Sequence, residues 1–184
     1  MTDYPSISMT LPQEVLNRFI DQAKIFIETG TYDGRTVAMA LNCGYTDIRS
    51  IELDLKYFEI AESRFKDNTN VKLYWGDSLR MLPAMTYDIY APAVFWLDAH
   101  IQENVQGDIA APILEELDII ATLNRRDNII LIDDKRLMGT PNSWWENITY
   151  DKVIERIMRI NPKYIIELID SNAAKKDIIA AFIP

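Results

Sequence analysis

Two strand-like runs late in the chain, residues 163–169 and 176–182, are joined by a short polar segment, Asp170-Ser171-Asn172-Ala173-Ala174, that is too brief for a helical crossover. They must therefore pair antiparallel, as a hairpin. The rest of the chain obeys the opposite rule. Apolar runs at 25–28, 47–53, 71–75, 93–97 and 128–132 alternate with helical patterns at 35–42, 56–66, 78–82, 113–123 and 150–160. Alternation of this kind implies a parallel sheet covered by helices on both faces. The expected architecture is an α/β three-layer, Rossmann-like sandwich whose mostly parallel seven-stranded sheet ends in an antiparallel hairpin.

An amphipathic helix is expected ahead of the first strand, because Val15, Leu16, Phe19, Ile20 and Ala23 fall on one helical face. Residues 1–24 then form a helical lead-in to a single domain spanning 1–184. A chain of 184 residues, 48% hydrophobic and 26% charged, can bury a full core of its own. Its net charge of −9 repels a phosphate backbone, so nucleic acid is not an expected partner. The lone Cys43 excludes an intrachain disulfide, and its place in a helical apolar pattern assigns it to the core of a protein from reducing cytosol. No apolar run approaches the ~20 residues of a membrane span, and Met1-Thr2-Asp3-Tyr4-Pro5 lacks the basic start of a signal peptide. A cytoplasmic protein without membrane contact is expected.

The first strand breaks into Glu28-Thr29-Gly30-Thr31-Tyr32-Asp33-Gly34-Arg35-Thr36, an acidic, glycine-spaced turn that opens a helix. Gly30 and Gly34 permit positive φ or close approach of a ligand, and the helix start offers unpaired N–H groups. With the terminal hairpin, this turn resembles the class I S-adenosylmethionine-dependent methyltransferases, and the resemblance runs from about Lys24 onward. Glu28 to Gly34 matches that family's E-x-G-x-x-x-G form, with Tyr32 where a middle glycine is often found. The resemblance implies that Glu28, Thr29, Gly30, Tyr32, Gly34 and Thr36 hold the cofactor. Glu52, at the end of the second strand, is placed to read the ribose hydroxyls with its two oxygens, whereas Asp54 is placed to open the next helix. Gly76-Asp77-Ser78 resembles the family's adenine-side turn, where Asp77 accepts from the exocyclic amine; Asp77 is also placed to cap a helix.

Phe95-Trp96-Leu97-Asp98-Ala99-His100 and Ile130-Leu131-Ile132-Asp133-Asp134 each place carboxylates directly after an apolar strand. On adjacent strands Asp98, Asp133 and Asp134 would meet, and a hard divalent cation is the usual relief of such repulsion. Pairing with Lys135 and Arg136, together with helix capping, is the alternative. The pattern is similar to the metal-dependent O-methyltransferases of the catechol and macrocin types. That likeness implies magnesium on Asp98, Asp133 and Asp134, with Asp98 serving the cofactor and the chemistry alike. It also implies that His100 is the base for a small-molecule hydroxyl acceptor, unless this only histidine is a surface residue.

Trp144, Trp145 and Tyr150 are expected to line the acceptor site, or equally to pack on the following helix or on the second subunit of a homodimer. Residues 102–108 and 138–147 read as longer loops, the first as a lid. Glu115 and Glu116 are expected to be solvated. Two other functions fit parts of the pattern. A nicotinamide-dependent oxidoreductase shares the strand–helix start but requires G-x-G-x-x-G, which Gly30 to Gly34 does not supply. A non-catalytic methyltransferase-fold binding protein would keep the turn and lack turnover.

Overall fold

In a computed structural model, which describes residues 10–100, 111–141 and 143–184, seven strands form one sheet. The elements run α1 (Gln13–Phe19), β1 (Ile25–Thr29), α2 (Arg35–Cys43), β2 (Asp47–Glu52), α3 (Leu55–Phe65), β3 (Val71–Trp75) and α4 (Ser78–Thr86). They continue as β4 (Ala93–Leu97), α5 (Ile113–Ile120), β5 (Ile129–Ile132), a 3-10 turn (Lys135–Leu137), α6 (Tyr150–Ile160), β6 (Ile165–Ile169) and β7 (Ile178–Phe182). The strand order is β3-β2-β1-β4-β5-β7-β6, with β1 to β5 parallel and β7 antiparallel to both neighbours.

The alternation of side chains along each strand divides the core into two layers. Ile27, Phe95, Leu97, Ile130 and Ile132 pack with α4, α5 and α6. Phe26, Ile48, Val94, Trp96 and Leu131 pack with α1, α2 and Phe65 of α3. The expected three-layer sandwich and its terminal hairpin are both present. Strand β7 starts at Ile178 because the preceding residues close a hydrogen-bonded loop. Asp170 Oδ1 accepts from the Lys176 N–H at 2.8 Å, and the Ser171 hydroxyl donates to Asp177 Oδ2 at 3.0 Å. Helix α4 continues past Pro83 to Thr86, four residues beyond its expected end. Cys43 is half-buried at the end of α2, packed against the edge of the second core layer rather than enclosed within it. The helix stops there because Gly44, at φ 93°, turns left-handed and lets the Tyr45 N–H reach the Ala40 carbonyl at 3.1 Å.

Arg49 of β2 is buried, and it joins the sheet to α4. Its guanidinium donates to Asp47 Oδ2 at 2.7 Å, to the Met85 carbonyl at 2.6 Å and to Asp88 Oδ1 at 2.5 Å. Among the described residues, no helix is long and apolar enough to cross a membrane.

Candidate cofactor and acceptor site

The strand order reverses between β1 and β4, and the crevice at the carboxyl ends of such strands is where open α/β sheets bind ligands. A cavity of about 420 Å³ lies there. Its floor is the turn after β1, where the N–H groups of Gly30 and Thr31 both donate to the Ile51 carbonyl, at 2.9 and 3.0 Å. Gly30 has φ 89°, and a Cβ on it would sit 2.7 Å from the Asp98 carbonyl oxygen. Only glycine fits a position that is both left-handed and pressed against another chain segment. Tyr32, the departure from the glycine pattern, takes the glycine-like conformation anyway at φ 51°, with its ring packed at a tilt of 35° on Tyr57 at a centroid distance of 4.1 Å.

Glu52 borders the cavity with both oxygens held. Its Oε2 accepts from the Tyr32 N–H at 2.6 Å and its Oε1 from the Asp54 N–H at 2.8 Å. The carboxylate still has acceptor capacity left for a ligand hydroxyl. Burial raises its pKa, and the backbone donors Asp54, Tyr32 and Leu53 offset part of the rise. Asp54 caps α3 and Asp77 caps α4, accepting from Lys56 and Leu79 N–H groups at 2.8 Å in each case. Asp77 and Ser78 also line the cavity, so the capping reading and the ligand reading of Asp77 hold together.

Glu28, Thr29 and Gly34 do not line the cavity, whereas Gly30, Tyr32 and Thr36 do. Glu28 is buried beneath it, accepting from the Ser50 hydroxyl at 2.6 Å; Ser50 in turn lies 2.5 Å from the Thr31 hydroxyl. Burial pushes the Glu28 pKa up to about 8 against the opposing hydrogen bonds of Ser50 and Thr36. Gly34 abuts Phe65, whose ring lies 2.6 Å from where a Cβ would stand. All three support the turn from below.

Beyond β4 and β5 the carboxylates converge. One ligand atom each of Asp98, His100 and Asp134 lie within 4.8 Å of one another, and so do those of Asp133, Asp134 and Asp177. The expected trio is thus split between two overlapping sets, and Arg136 enters the second. Its guanidinium forms an ion pair with Asp134 Oδ1 at 2.7 Å and donates to Asp177 Oδ2, and its backbone N–H donates to Asp177 Oδ1 at 2.9 Å. One arginine compensates Asp134 and Asp177; Asp98 has only the His100 ring, with Nδ1 3.9 Å from its Oδ1, and Asp133 has no ion pair among the described residues. Burial, reinforced by Asp133 and Asp134, raises the Asp98 pKa well above the ordinary range; burial brings Asp133 to about 6. Asp133 Oδ1 is buried with no hydrogen-bond partner among the described residues. An orphaned buried carboxylate oxygen beside other carboxylates fits a hard divalent cation, so these residues could hold one.

His100 lies beside this cluster. Its Nδ1 is 3.2 Å from the Asp98 carbonyl oxygen, and its ring centroid is 6.3 Å from that of Trp145. Trp145 is buried in the core, whereas Trp144 is exposed and Tyr150 packs under the Lys135 ammonium. The loop 102–108, expected as a lid, falls outside the described residues.

Glu116 departs most from expectation. It is fully buried, not solvated: Thr29 Oγ1 donates to its Oε2 at 3.3 Å, and Ser78 also hydrogen-bonds to it. The signal lay in its spacing, since Glu116 shares the stripe of Ile113, Leu117 and Ile120. A glutamate on an apolar stripe is buried with the stripe.

No protein-family sequence profile matches the chain, and no curated protein matches it in sequence. Its fold is nonetheless similar to many solved structures. The O-methyltransferase TomG of Streptomyces achromogenes, determined with S-adenosylmethionine, has a TM-score of 0.65 at 18% identity over 98% of this chain and 83% of that one. The methyltransferase PaMTH1 of Podospora anserina, bound to S-adenosylhomocysteine, has a TM-score of 0.65 at 14% identity over 99% and 83%. An O-methyltransferase of Bacillus cereus, also with S-adenosylhomocysteine, scores 0.60 at 17% identity over 94% and 80%. The strand order, the terminal hairpin and these likenesses give one conclusion: the chain has the fold of the class I S-adenosylmethionine-dependent methyltransferases.

Proposed function

We propose that the protein is an S-adenosylmethionine-dependent methyltransferase acting on a hydroxyl of a small molecule, with a divalent cation, magnesium by ligand type, at the acidic end of the site. The observation that carries this reading is one cavity lined by Glu52 after β2, by the Gly30–Tyr32 turn after β1, and by Asp98, His100 and Asp134 after β4 and β5. Glu52 receives the ribose hydroxyls on its free acceptor sites, and Asp77 and Ser78 flank the adenine. Gly30 lets the cofactor approach the backbone without a Cβ in the way. S-adenosylmethionine supplies an electrophilic methyl group on a sulfonium, whose positive charge suits a pocket this acidic.

The chain's own task is then to hold the acceptor oxygen in line with that methyl group, since positioning alone provides much of the rate in such displacements. A cation on Asp98, Asp133 and Asp134 would lower the pKa of the acceptor hydroxyl. His100 Nδ1 lies 3.2 Å from the Asp98 carbonyl oxygen, which can only accept, and the tautomer that donates there presents the Nε2 lone pair to the acceptor. Nε2 takes the hydroxyl proton as the new C–O bond forms and the sulfur–methyl bond breaks, leaving a methyl ether and S-adenosylhomocysteine.

Calorimetric titration with S-adenosylhomocysteine, followed by methyl transfer to phenols, catechols and sugars with and without EDTA, tests the reading. Cofactor binding with EDTA-sensitive transfer is expected. Binding without transfer to any hydroxyl would leave the non-catalytic alternative in its place, and turnover indifferent to EDTA would remove the metal.

A further inference from the structure

We infer that Glu116 is a positioning residue: its buried carboxyl group braces the end of β1 against the start of α4, and so fixes the two walls between which the cofactor is held. The inference rests on the cofactor site proposed above and concerns a residue that does not itself line the cavity. Thr29, on one side, donates its hydroxyl to Glu116 Oε2 at 3.3 Å and accepts the Asp98 N–H on its carbonyl at 3.1 Å. The next residue, Gly30, begins the cavity floor. Ser78, on the other side, hydrogen-bonds to the same carboxyl and lines the cavity beside Asp77. Helix α4 packs mainly on α5 and β2, so Glu116 of α5 is its polar tie to β1.

Packing alone would not place a glutamate here. Ile113, Leu117 and Ile120 surround position 116 with an apolar stripe, and Glu116 Oε1 has no hydrogen-bond partner among the described residues. Burial of such an oxygen is costly and a leucine would avoid the cost. Burial, with Asp77 and Glu115 adding repulsion, lifts the Glu116 pKa to about 7, so a neutral carboxyl is accommodated and glutamine is its faithful replacement.

The test compares Glu116→Gln and Glu116→Leu by calorimetric titration with S-adenosylhomocysteine, with thermal melts run alongside. Loss of two hydroxyl contacts should weaken binding by Glu116→Leu about tenfold while Tm holds or rises; Glu116→Gln should stay within about twofold of the parent. Equal affinity in Glu116→Leu, or an equal loss in Glu116→Gln, overturns the inference. Should Glu116→Leu not fold, Thr29→Val cuts the same tie from the β1 side, and unchanged affinity there overturns it equally. A parent protein that does not bind the nucleoside brings down the cofactor reading and this inference with it, an outcome distinct from a variant-specific result.

Discussion

The backbone N–H of Tyr32 donates to Glu52 Oε2 at 2.6 Å, so a left-handed residue in the turn after β1 and the carboxylate ending β2 hold each other in place. This bond requires the Tyr32 amide to point across the crevice, which its φ of 51° achieves. Left-handed backbone costs a non-glycine residue on the order of 1 kcal/mol. The charge-assisted hydrogen bond and the contact with the tilted Tyr57 ring offset that cost.

Glu52→Ala should weaken S-adenosylhomocysteine binding by about 10- to 100-fold, since hydrogen bonds to a charged group contribute roughly 1.5–3 kcal/mol. Tm should fall as well, because the Tyr32 and Asp54 amides lose their acceptor. Calorimetry giving parent-like affinity would remove Glu52 from the cofactor site.

Gly30 and Gly44 are both left-handed, at φ 89° and 93°, but only at Gly30 would the methyl group of an alanine meet backbone, the Asp98 oxygen at 2.7 Å. Gly44→Ala should therefore cost only the conformational penalty of about 1–2 kcal/mol. Gly30→Ala should cost clearly more and abolish nucleoside binding. Chemical denaturation of both variants measures the gap, and equal losses would contradict the close approach.

Glu28 should make stability fall with rising pH. Its pKa is about 8 when folded against an ordinary 4.5, so the folded chain holds a proton that the unfolded chain has released. The stabilisation is complete below the unfolded value and is lost as pH rises through the folded one. Glu28→Gln keeps an acceptor for Ser50 and Thr36 without ionising, so its Tm should gain on the parent's steadily from about pH 5 to about pH 8. Parallel Tm curves would show that Glu28 titrates normally.

Asp134→Asn should abolish any rise of Tm with added magnesium and lower turnover by roughly 100-fold, as expected when a ligand to a Lewis-acidic cation is lost. Asp98→Asn should do the same. A magnesium response intact in both variants would place the cation elsewhere.

What the sequence disclosed follows from distance along the chain. The 163–182 hairpin was legible because a short connection allows only one pairing, and Asp98, Asp133 and Asp134 were legible because each directly follows an apolar strand. The division of the acidic trio was not, because Asp177 stands 41 positions from the Arg136 that binds it. The burial of Glu116 was obscured for another reason. Helical period shows which residues share a face, but not that the hydroxyls of Thr29 and Ser78 wait opposite it. Tyr32 broke a residue pattern while keeping the backbone geometry which that pattern ordinarily ensures.

The insertion of β7 between β5 and β6 also has a consequence for synthesis. Strand β6 leaves the ribosome before β7, yet β7 is the only strand it pairs with among the described residues. Until residues 178–182 emerge, β6 has nothing to bond to and β5 presents an open ladder to the surroundings. The nascent chain carries two unprotected sticky edges at once, so its window for misassembly closes only when this late strand slides into the gap.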